Sequence, residues 1–299
     1  MESWLKAARL RTLPLALSSI LMGCFLAVAY GKFQWSIALL AILTTIFLQV
    51  LSNFANDYGD AVNGKDTDIR QGPKRAVQSG VISAEAMKKA MILFAGLSLV
   101  SGLWLLYESF KNTDWQSFAT FLLLGILAII AAITYTAGKR PYGYVGLGDI
   151  SVLIFFGWVG VLGTFYLHAQ TFEPVLLLPA SSCGLFAVAV LNINNIRDLE
   201  SDRLTGKRSI PVRLGRPRAV VYHWILLISG MLMMVIFALI QATDWPAWLF
   251  VLSFPLFIRN GLAVSHLENP SALDPYLKQM ALSTLLFVLL FGISVMSNL

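Results

Sequence analysis

Two short stretches place carboxylates and carboxamides at a spacing that suits a hard cation. The first is Asn56-Asp57-Tyr58-Gly59-Asp60, with Asp66 and Asp68 just beyond; the second runs Asn194-Asn195-Ile196-Arg197-Asp198-Leu199-Glu200-Ser201-Asp202. Both contain Asn-x-x-x-Asp, and the second adds another x-x-x-Asp. Residues four apart share one face of a helix, so Asn194, Asp198 and Asp202 would line up. Like charges one turn apart repel by roughly 0.2–0.5 kcal/mol per pair, so the row calls for a counter-charge. Mg2+ takes oxygen ligands and binds through one or two carboxylates together with substrate phosphates. Asp57, Asp60, Asp66, Asp68, Asp198 and Asp202 are therefore the candidate metal ligands, with Asn56 and Asn194 beside them as substrate contacts. A single motif of this kind could be a solvated, capped helix end; two matched motifs argue against that.

A phosphate-bearing ligand also needs cations. Arg70, Lys74, Arg75, Lys139, Arg140, Lys207 and Arg208 follow the motifs or lie between them. Arg forks onto phosphate oxygens and Lys acts as a point charge. Lys139-Arg140-Pro141-Tyr142 and Gly206-Lys207-Arg208-Ser209 stand out because each sits in a short Gly-containing segment beside a helix end. The competing reading is simple positive charge on one side of a membrane, and it covers Arg9 and Arg11 better. Asp149, in Gly146-Leu147-Gly148-Asp149, either complements a helix dipole or orients Lys139 or a substrate hydroxyl. Tyr58, Tyr135, Tyr142 and Tyr144 fall in the same region, where aromatic faces would stabilise a cation or serve as interface anchors. His168, His223 and His266 are scattered and read as structural or surface residues. Cys24 and Cys183 lie in apolar runs and read as packing residues, with no disulfide or zinc spacing.

The elements that hold these groups are apolar and long. Of 299 residues, 57% are hydrophobic and only 13% charged, whereas soluble domains carry about 25% charged residues. About 20 apolar residues cross a bilayer. Runs of that kind are Leu13–Tyr30, Trp35–Ala55, Ala90–Tyr107, Trp115–Tyr135, Leu147–Leu167, Val175–Asn192, Ala219–Ile240, Trp245–Leu262 and Leu277–Val295. The expectation is an all-α, polytopic membrane protein of about nine transmembrane helices, one domain over residues 1–299. Pro255 interrupts the eighth run. Met1–Arg11 carries Lys6, Arg9 and Arg11 ahead of an apolar run, like a signal peptide, but no small-residue cleavage site stands out and it reads as a retained first helix. The basic residues gather in alternate loops, which puts the N-terminus in the cytoplasm and the C-terminus outside. The net charge of +6 follows from that bias and from no nucleic-acid motif. The long connections, Asn56 to about Lys89 and Ile193 to about Arg218, are expected to form a cytoplasmic cap after helices two and six. The repeated motif suggests a weak internal repeat with a site between its halves.

At this point the motifs resemble a known family. The two acidic stretches, with Ile133-Thr134-Tyr135-Thr136-Ala137-Gly138-Lys139-Arg140-Pro141-Tyr142-Gly143-Tyr144, Leu191-Asn192-Ile193-Asn194-Asn195-Ile196-Arg197-Asp198 and Val212-Arg213-Leu214-Gly215, resemble the UbiA superfamily of intramembrane aromatic prenyltransferases. Within it they are similar to the bacterial 1,4-dihydroxy-2-naphthoate polyprenyltransferase branch. The family's first motif continues to a further Asp, a slot held here by Gly64, with Asp66 and Asp68 just beyond as its substitutes. The resemblance implies transfer of a polyprenyl chain, octaprenyl in type, from polyprenyl diphosphate to 1,4-dihydroxy-2-naphthoate. Diphosphate and CO2 leave, giving demethylmenaquinone for menaquinone synthesis in the bacterial inner membrane. It implies Mg2+ as cofactor, Asp60, Asp198, Asp202 and Lys139 as catalytic groups, and Asn56, Asn194, Arg70, Arg140, Lys207, Tyr142 and Asp149 as substrate contacts. A related enzyme acting on 4-hydroxybenzoate or homogentisate stays open, as does a cation-coupled transporter. Transporter sites usually lie mid-membrane, whereas these acids gather at one face.

Overall fold

Backbone in lipid must satisfy its own hydrogen bonds, and this chain does so with helices. The computed structural model describes residues 2–66, 71–113, 115–241 and 245–297, which contain no strand. A short helix α1 (Glu2–Ala8) passes through a break at Arg9 into α2 (Leu13–Ala29). Then come α3 (Trp35–Val62), α4 (Ala84–Phe110), α5 (Trp115–Thr134), α6 (Gly148–Ala169) and α7 (Leu177–Arg197). Two short helices, α8 (Leu199–Leu204) and α9 (Ile210–Leu214), lead to α10 (Arg216–Ile240). α11 (Phe254–His266) and α12 (Asp274–Met296) complete the chain. Among the described residues, nine helices are long and apolar enough to span a bilayer. The protein is a multi-pass, all-α membrane protein.

Several boundaries depart from the hydropathy reading, for local reasons. α3 continues through the first motif to Val62, so Asn56 and Asp60 occupy its last turns and not a loop. α4 starts early because Ser83 caps it, its hydroxyl accepting from the Ala86 amide at 3.2 Å. The connection between them shrinks to residues 63–83. The long second connection is largely helical too, through α8 and α9. Before Pro255 the chain winds as a 3-10 helix over Trp245–Ser253, and the proline enters the first turn of α11, where its missing N–H costs nothing.

Part of α6 is a π-helix, Leu153–Gly163, which the apolar run did not announce. Such stretches are rare and concentrate at functional sites. Its glycines let it sit close to its neighbours. A Cβ on Gly157 would stand 2.8 Å from the Ala180 carbonyl oxygen of α7, and one on Gly160 would stand 2.9 Å from the Ser19 Cβ of α2.

The main core lies among α2, α6, α7, α10, α11 and α12, around a stack of Phe186 on Phe257 with Phe287 edge-on. A second cluster joins α1 to α3 and α4 beside the first motif, with Trp4 against Phe54. These cores fix the ends of α3 and α7, which carry the two motifs.

Candidate active site

The second motif straddles a helix break and keeps its spacing. α7 closes at Asp198, yet the Asp198 amide donates to the Asn194 carbonyl at 3.0 Å and the Asp202 amide to the Asp198 carbonyl at 2.9 Å. The four-residue step therefore survives into α8. Asn194, Asp198 and Asp202 line one polar cavity of about 230 Å3, and Asn56 and Asp60 from the first motif line the same space. Arg75, Tyr144, Asp149 and Lys207 complete the wall near the acids, and Arg9, Arg11 and Lys278 stand in it as well.

Beneath it lies an apolar chamber of about 680 Å3 between α2, α3, α4, α5 and α6, with the π-helix along one wall. Asn53, Asn56, Tyr135, Val152, Phe156 and Leu191 belong to both linings, so the polar mouth opens into the chamber. Phe121 and Tyr166 stack at 5.1 Å within the chamber lining, far along the bundle from the mouth.

Asp60 is 2% exposed and meets three donors. They are the Arg75 guanidinium, the Lys207 ammonium at 3.1 Å and the Tyr144 hydroxyl at 2.5 Å. Arg75 also reaches Asp66 at 3.2 Å and the Asn56 carbonyl at 3.0 Å. Burial disfavours the charge on Arg75, but Asp60, Asp66 and Asp57 more than offset it and hold its pKa above the ordinary value. Burial and the neighbouring Asp60 carboxylate likewise push the Tyr144 phenol up, so it keeps its proton and donates.

Arg197 grips Asp198 with two parallel bonds, Nε to Oδ1 at 3.0 Å and Nη2 to Oδ2 at 2.7 Å, and also donates to Asn194 Oδ1 at 2.9 Å. Lys207 joins the two motifs: its ammonium lies 3.1 Å from Asp60 and 3.7 Å from Asp202, over the Tyr144 ring at 5.1 Å. Lys65 donates to the Thr205 carbonyl and the Arg208 amide to the Tyr144 carbonyl at 2.8 Å, so the segments after α3, α5 and α7 are knitted together over the mouth.

The expected residues divide. Asn56, Asp60, Asp149, Asn194, Asp198, Asp202 and Lys207 come together in the mouth. Asp57 does not: its oxygens accept from the Val77 and Ala76 amides at 3.0 and 3.1 Å, pinning the 63–83 connection. Asp66 faces Arg75. Lys139 and Arg140, expected at the site, are exposed and line neither cavity; the turn after α5, with Gly138 at φ 106, carries them to the surface. Tyr142 belongs to the chamber wall, its hydroxyl bonded at 3.0 Å to the Ala131 carbonyl and to Ser151. Asp149 accepts from the Tyr222 hydroxyl at 3.0 Å. Asp68 and Arg70 lie outside the described residues. Sequence reasoning passed over Arg197, whose only signal was its place directly before Asp198, and Arg11, which it treated as an orientation charge.

Among the described residues, no three carboxylate, imidazole or thiol side chains form a metal cluster. The acids converge instead on the chain's own cations. The donor set still fits a hard divalent ion. Every donor is an oxygen, and one ammonium already touches a carboxylate from each motif, which is where a cation serving both would balance charge. The three histidines line neither cavity.

An oxygen-rich, cation-lined mouth opens into an apolar chamber inside a multi-pass membrane protein. The chain belongs to the UbiA prenyltransferase family, whose sequence profile matches residues 16–296. It is 47% identical over 294 residues to the 1,4-dihydroxy-2-naphthoate octaprenyltransferase of Escherichia coli (strain K12), covering 98% of this chain and 95% of that one. Its identity to the Mycobacterium tuberculosis enzyme of the same name is 33% over 287 residues, covering 96% and 94%. Among solved structures, the apo UbiA homolog from Aeropyrum pernix K1 superposes with a TM-score of 0.67 at 18% identity, covering 96% of both chains. The Archaeoglobus fulgidus homolog bound to GPP and Mg2+ gives 0.61 at 18% identity, covering 99% of both.

Proposed function

We propose that this protein transfers a polyprenyl chain, octaprenyl in type, from polyprenyl diphosphate to 1,4-dihydroxy-2-naphthoate, releasing diphosphate and CO2 and giving demethylmenaquinol, the reduced form of demethylmenaquinone. The observation that carries the reading is the meeting of both motifs on Lys207, at a polar mouth that opens into an apolar chamber. The names and high identity of the relatives support the acceptor. The chain works as a single domain in a bacterial inner membrane, N-terminus in the cytoplasm and C-terminus in the periplasm, with the connections after α3 and α7 as a cytoplasmic cap.

In this reading the prenyl tail occupies the chamber and the diphosphate the mouth. Asp60, Asp198 and Asp202, with Asn56 and Asn194 beside them and Asp66 or Asp68 in reserve, would hold Mg2+, which would supply positive charge to balance the diphosphate. Arg75 and Lys207 then turn from the carboxylates to the leaving group, whose charge rises as the allylic C–O bond breaks. That bond's electron pair departs with diphosphate. The ring carbon bearing the carboxylate forms the new C–C bond with the allylic carbon, and the C–CO2 pair returns to the ring as CO2 leaves. Arg9, Arg11 and Lys278 give the mouth a cationic wall that suits an anionic acceptor. Tyr135, where the cavities meet, offers an aromatic face to the allylic cation. The apolar chamber keeps water away, which would otherwise capture it.

The test uses inverted membrane vesicles carrying the protein, supplied with Mg2+, a labelled polyprenyl diphosphate and carboxyl-labelled 1,4-dihydroxy-2-naphthoate. The expected result is prenylated naphthoquinol, read by mass spectrometry as such or as the quinone formed from it by air oxidation on extraction, with stoichiometric labelled CO2. No prenylated product and no labelled CO2 from dihydroxynaphthoate, with prenylation when 4-hydroxybenzoate is supplied in its place, would overturn the acceptor assignment.

A further inference from the structure

Arg197 and Asp274 form a chain of charge that no step above uses. Arg197 is 1% exposed, and beyond its grip on Asp198 and Asn194 its third nitrogen, Nη1, bonds Asp274 Oδ1 at 2.7 Å. Asp274 opens α12, and its other oxygen meets Arg11, in the 3-10 turn between α1 and α2, at 3.3 Å. The last helix, the break in the first helix and the second acidic motif are thus joined through one carboxylate.

A guanidinium offers five N–H donors in a rigid plane. Here Asp198 and Asn194 hold one edge of the plane and Asp274 holds Nη1 on the far edge, so the direction of the fork is fixed from both sides. Without Asp274 the plane is free to tilt, and Asn194 and Asp198 would lose the common hold that aims both into the mouth. Each Asp198 oxygen accepts one bond from Arg197. A carboxylate at a helix N-terminus is itself favoured by the dipole, which suits Asp274 to the first turn of α12.

We propose that Asp274 is a positioning residue for the second acidic motif, acting through Arg197 to set the rotamers of Asn194 and Asp198 and so the affinity of the mouth for a divalent cation. This rests on the reading that Asp198 holds the metal. Partners behind a metal-ligating group commonly tune affinity by about 10–100-fold.

The experiment measures Mn2+ binding by electron paramagnetic resonance on the purified full-length protein in nanodiscs, with thermal unfolding of the metal-free protein alongside. Expected is a loss of Mn2+ affinity of about tenfold or more in Asp274→Asn, recovery in Asp274→Glu, and a loss in Arg197→Lys, which has no fork. The Mg2+ requirement for transfer should rise in the same order while the KM for prenyl diphosphate at saturating Mg2+ changes little. Affinity unchanged in Asp274→Asn overturns the proposal, whatever happens to thermal stability. Equal losses in the Asn and Glu variants also overturn it, because they signal general damage to α12. If Asp274→Asn does not fold, Arg11→Gln loosens only the outer arm of the chain; the proposal expects a smaller loss of Mn2+ affinity there, and no loss overturns it. Asp198→Ala separates the two readings: Mn2+ binding that persists in it removes the metal assignment itself, whereas its loss in Asp198→Ala alone removes only the role of Asp274.

Discussion

The two acidic motifs have the same spacing and solve the same electrostatic problem in opposite ways. In the first, Asp60 is neutralised by Arg75 from the 63–83 connection, and that connection is itself pinned by Asp57. In the second, Asp198 is neutralised by Arg197, its neighbour in the chain, braced by a residue of another helix. One site is assembled from a loop and the other from packed helices. A site that closes over a long amphiphile needs both a frame and a part that moves, and the second motif is built as the frame. The contrast also says which substitutions should damage charge balance and which should damage only assembly.

The largest effects belong to the acids themselves. Asp60→Ala and Asp198→Ala should each lower Mg2+-dependent transfer by at least about 100-fold in membranes, the scale of removing one group that balances transition-state charge. Their stabilities should differ. Asp60→Ala removes the carboxylate that Arg75, Lys207 and Tyr144 share and leaves the buried Arg75 on Asp66 and the Asn56 carbonyl alone, for a loss toward the lower end of the about 3–5 kcal/mol that breaking a buried pair costs. Asp198→Ala leaves Arg197 on Asp274, so its folded yield should hold better. Equal yields would erase the distinction drawn between the two motifs.

Asp57→Ala should come next. Bonds from amides to a charged acceptor are worth about 1.5–3 kcal/mol each, and this variant loses two. Transfer should fall about tenfold because Arg75 is no longer delivered to Asp60. Protease cleavage within residues 63–83 should quicken, with Asp57→Asn intermediate. No substitution in the second motif should raise cleavage there; if one does, the two sites are not independently built.

Tyr144→Phe is milder. It removes the donor to Asp60 and leaves the ring beneath Lys207, for an expected loss of about fivefold. A raised phenol pKa means the proton stays on up to and beyond the ordinary Tyr range, so the donor is present across neutral pH. The ratio of wild-type to variant rates should therefore stay flat from about pH 6 to pH 9, below the ordinary Tyr pKa of about 10. A ratio that falls within that window would show that the phenol ionises there and does not serve as the donor.

The fold was legible because lipid leaves few choices: apolar runs of sufficient length had to be helices, and among the described residues nine of them are. What hydropathy could not place were the polar ends. α4 starts ahead of its apolar segment because Ser83 caps it, and α3 runs on past its own because Asn56 and Asp60 find side-chain partners in Thr136, Arg75, Lys207 and Tyr144, which hydropathy does not register. The π-helix in α6 was hidden because its glycines act through close approach to α2 and α7. At the site, the i, i+4 spacing identified Asn56, Asp60, Asn194, Asp198 and Asp202 because that pattern survives any helical path. It could not rank the cations. Lys139 and Lys207 look alike in sequence, and the turn at Gly138 leaves one exposed while Asp60 and Asp202 draw the other in.

The same limit applies to the acids that sit between the key positions, and here the comparison is sharpest. Asp57 in the first motif and Glu200 in the second both lie off the aligned face. Asp57 is buried and holds a loop, whereas Glu200 is exposed and pairs with Arg203 at 3.4 Å across open solvent. Exposed pairs of this kind contribute about 0–1 kcal/mol. Glu200→Gln should therefore leave transfer, Mg2+ dependence and unfolding temperature within about twofold or a degree or two of the parent, the smallest effect of the series. Its removal also raises the local positive charge slightly, which would favour an anionic head and not oppose it. A strong loss in Glu200→Gln would mean that the second motif presents more than one face to the ligand, and the description of it as a rigid row along α7 and α8 would have to be given up.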